Sequence, residues 1–189
     1  DVLNALHSVQ AAIRLVPCRH EGGAAFMAEA HGKLTGRPGV CMVARGPGAA
    51  NASIGVHTAF QDSTPMILLV GQVGRDLVDR EAFQEIDYRR MFAPMAKWVA
   101  QIDDVTRVAE YMERAFSVAL SGRQGPVVLA LPEDMLTDSS FSAPRMEPVP
   151  VAPANPHPAP EALARLRSLL ADAQRPLLWL GGSGWSDTG

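Results

Sequence analysis

Residues 40–70 read VCMVARGPGAANASIGVHTAFQDSTPMILLV, and this stretch decides the fold. Val40 to Ala44 and Met66 to Val70 are two short apolar runs of strand length, with no alternation of polar and apolar residues. Strands of that kind are covered on both faces, as in a parallel sheet. Between them Gly46-Pro47-Gly48 turns the chain, with proline suited to a helix start, and Ala49 to Phe60 reads as a helix of small residues. Strand, helix and strand in this order form one crossover unit of an α/β fold.

The same alternation extends in both directions. Upstream, Val2, Leu3, Leu6, Val9 and Ile13 recur at helical spacing, and Arg14 to Cys18 reads as a short strand ending at Glu21. Gly22 and Gly23 then open a helix carrying Ala25, Phe26, Ala28, Glu29, His31 and Leu34, closed by Gly36 and Pro38. Downstream, residues 71–90 are polar and irregular with one short helical patch, a connection long enough to suggest a functional loop. A weaker strand follows around Ala96 to Ala100. Val105, Val108, Met112, Phe116 and Ala119 trace one face of a helix ending at Gly122, and Val127 to Leu131 is a last buried strand. The expectation is a three-layer α/β/α domain with a mainly parallel sheet over residues 1–138. Seven prolines between Pro144 and Pro160 mark residues 139–160 as a linker. Residues 161–189 then read as the start of a second α/β domain, with a helix from Ala162 to Ala173 and a strand at Leu177 to Leu180 running into Gly181-Gly182-Ser183-Gly184.

Composition narrows the classes of function. The chain has 189 residues, 47% of them hydrophobic, enough for one full domain and part of another. Its 17 Lys and Arg against 20 Asp and Glu give a net charge of −3, with neither sign concentrated, so there is no electrostatic footprint for nucleic acid or an anionic membrane. No apolar run approaches the roughly 20 residues that span a bilayer. Cys18 and Cys41, each in an apolar run, suggest neither a disulfide framework nor a thiolate metal site and point to a reducing, cytoplasmic setting. The histidines show no metal spacing, so no metal site is expected. Lacking an initiator methionine, the chain reads as a fragment.

Glu21 is the candidate catalytic residue. It stands where the carboxyl end of a parallel strand meets two glycines, the edge at which open α/β sheets bind ligands. By position alone the plainer reading is a surface carboxylate near a helix start, where the macrodipole favours negative charge. Gly46-Pro47-Gly48 suggests an anion-binding helix start, but no Lys-Ser/Thr pair follows as in a P-loop.

Several segments in register resemble the acetolactate synthases and related thiamine-diphosphate-dependent enzymes. They are Arg19-His20-Glu21-Gly22-Gly23-Ala24-Ala25-Phe26-Met27-Ala28-Glu29, Thr35-Gly36-Arg37-Pro38-Gly39-Val40, Gly46-Pro47-Gly48-Ala49-Ala50-Asn51, Asp62-Ser63-Thr64-Pro65, Gly71-Gln72-Val73, Ala82-Phe83-Gln84-Glu85 and Ser121-Gly122-Arg123-Gln124-Gly125-Pro126-Val127. The resemblance implies the thiamine-diphosphate-binding fold, with residues 1–138 as a pyrimidine-binding domain lacking its first strand. It implies that Glu21 hydrogen-bonds N1′ of the cofactor's aminopyrimidine, favouring the imino form that takes the proton from C2 of the thiazolium. Gly46, Pro47, Asn51 and Gln84 are then cofactor neighbours, and Phe83, Gln84 and Lys97 border the substrate. The bland readings are that Asn51 satisfies its own helix, that Phe83 and Gln84 anchor a loop and that Lys97 is solvated; Trp98 stands where the family commonly has histidine. His57, on the small-residue helix, protrudes toward the site or a subunit contact if it is not simply structural.

The family's Gly-Asp-Gly stretch, which binds Mg²⁺ and the diphosphate in a carboxyl-terminal domain, does not occur here. The resemblance therefore implies half of a site completed by another subunit in a homodimer or homotetramer, with the piece alone inactive. The implied reaction makes or breaks a C–C bond on a 2-oxo acid, as an acetolactate synthase does; decarboxylases, aldehyde lyases and oxidases share the domain. In some relatives the central domain holds FAD, which makes FAD a candidate cofactor. The alternative from another class is a non-catalytic nucleotide-binding module. A dinucleotide-binding dehydrogenase fits less well, since GxGxxG is missing after the first strand.

Overall fold

In the computed structural model, residues 2–138 and 157–181 are described. The chain divides into two compact units, residues 1–153 and 154–189.

The first unit is built on four parallel strands in the order β1-β2-β4-β3: β1 (Gly39–Val43), β2 (Met66–Gln72), β3 (Trp98–Gln101) and β4 (Pro126–Pro132). Val40, Ile67, Val127 and Trp98 stand level across the sheet. The helices are α1 (Val2–Ser8), α2 (Glu21–Thr35), α3 (Pro47–Gln61), the short α4 (Tyr88–Phe92) and α5 (Val108–Leu120).

The unbroken apolar strands make sense once both faces are counted. Met66, Leu68 and Val70 of β2 pack with Ala25, Ala28, Ala49, Ala52, Val56 and Ala59 of α2 and α3. Ile67 of the same strand joins Val127, Leu129, Ala115 and Ala119 on the α5 side. Successive side chains point to opposite faces, so a strand sandwiched between helix layers must be apolar throughout. Each fully buried Leu, Ile or Val contributes about 1.5–3 kcal/mol of transfer free energy. Layer by layer, this is the three-layer α/β/α arrangement expected.

Small residues bring α2 and α3 together. A Cβ on Gly55 would lie 2.6 Å from Ala25 Cβ, so the two helices touch almost backbone to backbone. That closeness matters because both helices start at the same end of the sheet.

Two expected strands are not formed. Helix α1 ends at Ser8, turns continue to residue 13, and residues 14–18 make no strand. Leu15 and Val16 are 52% and 46% exposed. A strand needs a neighbour to accept and donate its backbone hydrogen bonds, and among the described residues this segment has none. The second unit's described part is α6 (Pro160–Asp172) and a tail to Gly181 in which Leu177–Leu180 is likewise no strand, with Trp179 at 89% exposure. The same reasoning applies: no strand stands beside it among the described residues. Most of the proline-rich linker, residues 139–156, and residues 182–184 of the glycine stretch lie outside the described residues. No described helix is long and apolar enough to cross a membrane.

Candidate active site

Glu21 is the first residue of α2, not the last of a strand. His20 precedes it in extended conformation and caps the helix, its Nδ1 accepting from Gly22 N–H at 3.0 Å. An N-cap side chain satisfies one of the helix's orphan donors and is worth about 1 kcal/mol. His20 thus serves as the cap of the helix that begins with Glu21.

The second half of the arrangement is the start of α3. Gly46, at φ 61° and ψ −112°, adopts a conformation open to glycine, and Pro47 begins the helix. One turn on, Asn51 Nδ2 donates to Glu21 Oε2 at 3.0 Å. A Cβ on Gly48 would lie 3.5 Å from Glu21 Oε1, and one on Gly22 3.3 Å from the Asn51 carbonyl. Glycine at position 48 leaves the ground beside the carboxylate without a side chain, and glycine at 22 lets α2 start close against α3. The Asn51 amide, then the residue's own backbone N–H, hold the Glu21 carboxyl below its ordinary 4.5; partial burial opposes them weakly.

The loop after β2 closes on the same turn. A Cβ on Gly46 would lie 2.7 Å from Gln84 Cβ and 3.1 Å from the Gln84 carbonyl, so Gln84 sits directly against Gly46. Gln84 itself has φ 65°, a left-handed conformation uncommon for its type and typical of functional loops. Its neighbour Phe83 is 77% exposed.

Three side chains that sequence reasoning passed over hold this loop. Gln72, buried at the end of β2, donates from Nε2 to the Ile86 carbonyl and accepts Val73 N–H at Oε1. Glu85 accepts from the backbone of Asp79 and Ala82. Buried Tyr88 accepts Gly46 N–H at 2.8 Å. Gln72 and Glu85 stood inside quoted motifs, but no local pattern announces a tyrosine that reaches back 42 residues.

The structure thus brings together Glu21, Gly46, Pro47, Asn51 and Gln84, with Phe83 next in the chain. It does not bring Lys97 there. Lys97 lies just before β3, at the amino edge of the sheet, and its Nζ donates to the carbonyls of Val118 and Ser121. Burial lowers its pKa. His57 is exposed on α3. A cleft of about 390 Å³ lies beside the loop, lined among others by Gln72, Asp87, Tyr88, Arg89, Gln101 and Asp103. Among the described residues no group of three or more His, Cys, Asp or Glu could hold a metal ion. Cys18 and Cys41 are free thiols.

Residues 1–91 match the family model described as thiamine pyrophosphate enzyme, N-terminal TPP binding domain. The chain is 35% identical over 187 residues to the acetolactate synthase large subunit of Parasynechococcus marenigrum, covering 96% of this chain and 30% of the relative. It is 36% identical over 186 residues to the isozyme 3 large subunit of Escherichia coli, covering 96% and 32%. To an acetolactate synthase of Mycobacterium leprae it is 38% identical over 174 residues, covering 90% and 27%. The chain therefore spans about a third or less of these relatives. Across that span, a parallel α/β unit with Glu21, the Gly46 turn and Gln84 gathered at one edge agrees with the similarity to the amino-terminal domain of thiamine pyrophosphate enzymes.

Proposed function

We propose that residues 1–138 form the pyrimidine-binding half of a thiamine diphosphate site, in an enzyme that makes or breaks a C–C bond beside the carbonyl of a 2-oxo acid. Residues 139–160 are a linker and 161–189 begin a further α/β domain. The observation that carries the reading is the pair formed by Glu21 and Asn51 at the carboxyl edge of the sheet, with Gly48 beside the carboxylate.

The residues present fit the group. Glu21 Oε2 is oriented by Asn51, while Oε1 borders the space that Gly48 leaves without a side chain. A carboxyl group fixed on a helix start, with one oxygen spoken for, can present the other within hydrogen-bond reach of a ring nitrogen. Gly46 and Pro47 begin α3 beside the carboxylate, and Gln84 packs against Gly46. Bound thiamine diphosphate supplies an acidic thiazolium C–H and an electron sink for the 2-oxo acid carbon. This chain's part is to hold a proton between Glu21 and the pyrimidine, and a carboxyl group kept ionised in the separate unit has to gain pKa for that. Burial does so. In this reading the burial comes from a second subunit of a homo-oligomer, dimer or tetramer, with the diphosphate and Mg²⁺ held outside this chain.

An acetolactate synthase-like carboligation is the favoured reaction, because the similar proteins carry that name. FAD in the central domain and a cytoplasmic location accompany that reading. The test is turnover of pyruvate, 2-oxobutyrate, glyoxylate and benzaldehyde by the full-length enzyme with thiamine diphosphate and Mg²⁺. Acetolactate formation is the expected outcome; carbon dioxide and free aldehyde alone would indicate a decarboxylase, and no turnover of any member would defeat the proposal.

A further inference from the structure

Tyr88 is buried, and its hydroxyl oxygen accepts Gly46 N–H at 2.8 Å. Gly46 caps α3, and α3 carries Asn51, whose amide orients Glu21. An unbroken series of contacts therefore runs from α4 through the Gly46 turn to the carboxylate. The loop behind Tyr88 is itself immobilised by Gln72 and Glu85, so the tyrosine hangs from a fixed support. Its ring lies 6.3 Å from that of Phe92, which belongs to the same helix and the same core.

The Gly46 N–H needs such a partner. It lies in the turn that enters α3, outside any strand, and a buried amide without an acceptor costs the full desolvation of the group. Nothing in the local sequence satisfies it. We propose that Tyr88 is a positioning residue for the cofactor site: its hydroxyl sets the Gly46 turn, and through α3 the placement of Asn51 and Glu21. The inference rests on the reading of Glu21 given above and adds to it the element that aligns the carboxylate.

The experiment uses the full-length enzyme with three substitutions, Tyr88→Phe, Phe92→Leu and Glu21→Gln. Binding of thiamine diphosphate, thermal midpoint and C2 proton exchange at saturating cofactor are measured for each. Tyr88→Phe keeps the ring and removes the acceptor. It is expected to raise the Kd for thiamine diphosphate about three- to tenfold and to slow C2 exchange about tenfold, the size of one buried hydrogen bond. Amide hydrogen exchange at Gly46 should accelerate with it. Phe92→Leu disturbs the same core without touching Gly46, so it should lower the midpoint while C2 exchange stays within twofold of the parent. Exchange and Kd within twofold of the parent for Tyr88→Phe, alongside abolished exchange for Glu21→Gln, would overturn the positioning role and leave Glu21 standing. Equal slowing by Phe92→Leu at equal loss of stability would also overturn it. Exchange retained by Glu21→Gln would remove the Glu21 reading, and the role of Tyr88 with it.

Discussion

Substituting Gly55 by alanine sets two effects of opposite sign against each other. In an isolated helix alanine is favoured over glycine by about 1 kcal/mol, so propensity alone makes Gly55→Ala stabilising. In this fold the new Cβ would lie 2.6 Å from Ala25 Cβ, 2.8 Å from the Ala25 carbonyl carbon and 3.1 Å from Phe26 N. Ordinary carbon–carbon contact is about 3.5–4.0 Å. Two of the three obstructing atoms are backbone, so no rotamer change relieves them and α2 and α3 must separate by about 1 Å. Overpacking of this kind costs typically 1–3 kcal/mol, here toward the upper end. The net loss is then about 1–2 kcal/mol, or a fall of roughly 3–8 °C in the midpoint for a unit of this size. Asn51 lies one turn before Gly55 and Glu21 one turn before Ala25, so the same separation stretches their 3.0 Å hydrogen bond. Thermal unfolding of the full-length protein, with cofactor titration alongside, reads both effects. A Gly55→Ala protein as stable as the parent, or more stable, would refute the close-packed α2–α3 contact.

Other consequences follow from the site and the core. Removing the Asn51 amide by Asn51→Ala should bring the Glu21 carboxyl back up toward 4.5, measured by NMR titration of ¹³C-labelled glutamate, because that amide is the main group holding it down. Since the folded pKa lies below its ordinary 4.5, the carboxylate's contribution to stability is present above that value and lost as pH falls through the lowered one. The stability gap between parent and Asn51→Ala should therefore narrow on acidification through this window, and a gap constant from pH 7 to 3 would contradict the assignment. Burial pushes the Cys41 thiol up to about 11, while Cys18 is exposed. In the native chain a disulfide-exchange reagent at pH 8 should modify Cys18 at once and Cys41 only on unfolding; simultaneous reaction of both would mean the β1 side of the core is open.

How much of this was legible in the sequence depends on whether the cause was local. β2 and β4 were legible because continuous apolar runs such as Met66 to Val70 have few other fates, and α3 was legible from Pro47 and its small residues. Arg14 to Cys18 and Leu177 to Leu180 look as apolar as those strands, yet strand formation is a property of a pair, and no pairing neighbour exists for them among the described residues. Within the site, Glu21, the Gly46 turn, Asn51 and Gln84 were singled out by their motifs, and the fold gathers them. Lys97 was singled out in the same way, but parallel strands put residues preceding β3 at the edge opposite to those following β1. His20 and Tyr88 escaped for a different reason. Their roles consist of single hydrogen bonds to backbone amides, one at two residues' separation and one at 42, and no residue pattern encodes the second.

The central claim is that Glu21 drives deprotonation of the bound cofactor, and C2 proton exchange of thiamine diphosphate in the full-length Glu21→Gln protein measures it directly. Glutamine keeps the size and the contact with Asn51 but cannot hold the proton, so binding should persist while exchange falls by at least two orders of magnitude, the usual scale of a positioned acid–base group. Exchange at the parent rate with cofactor fully bound would contradict the account.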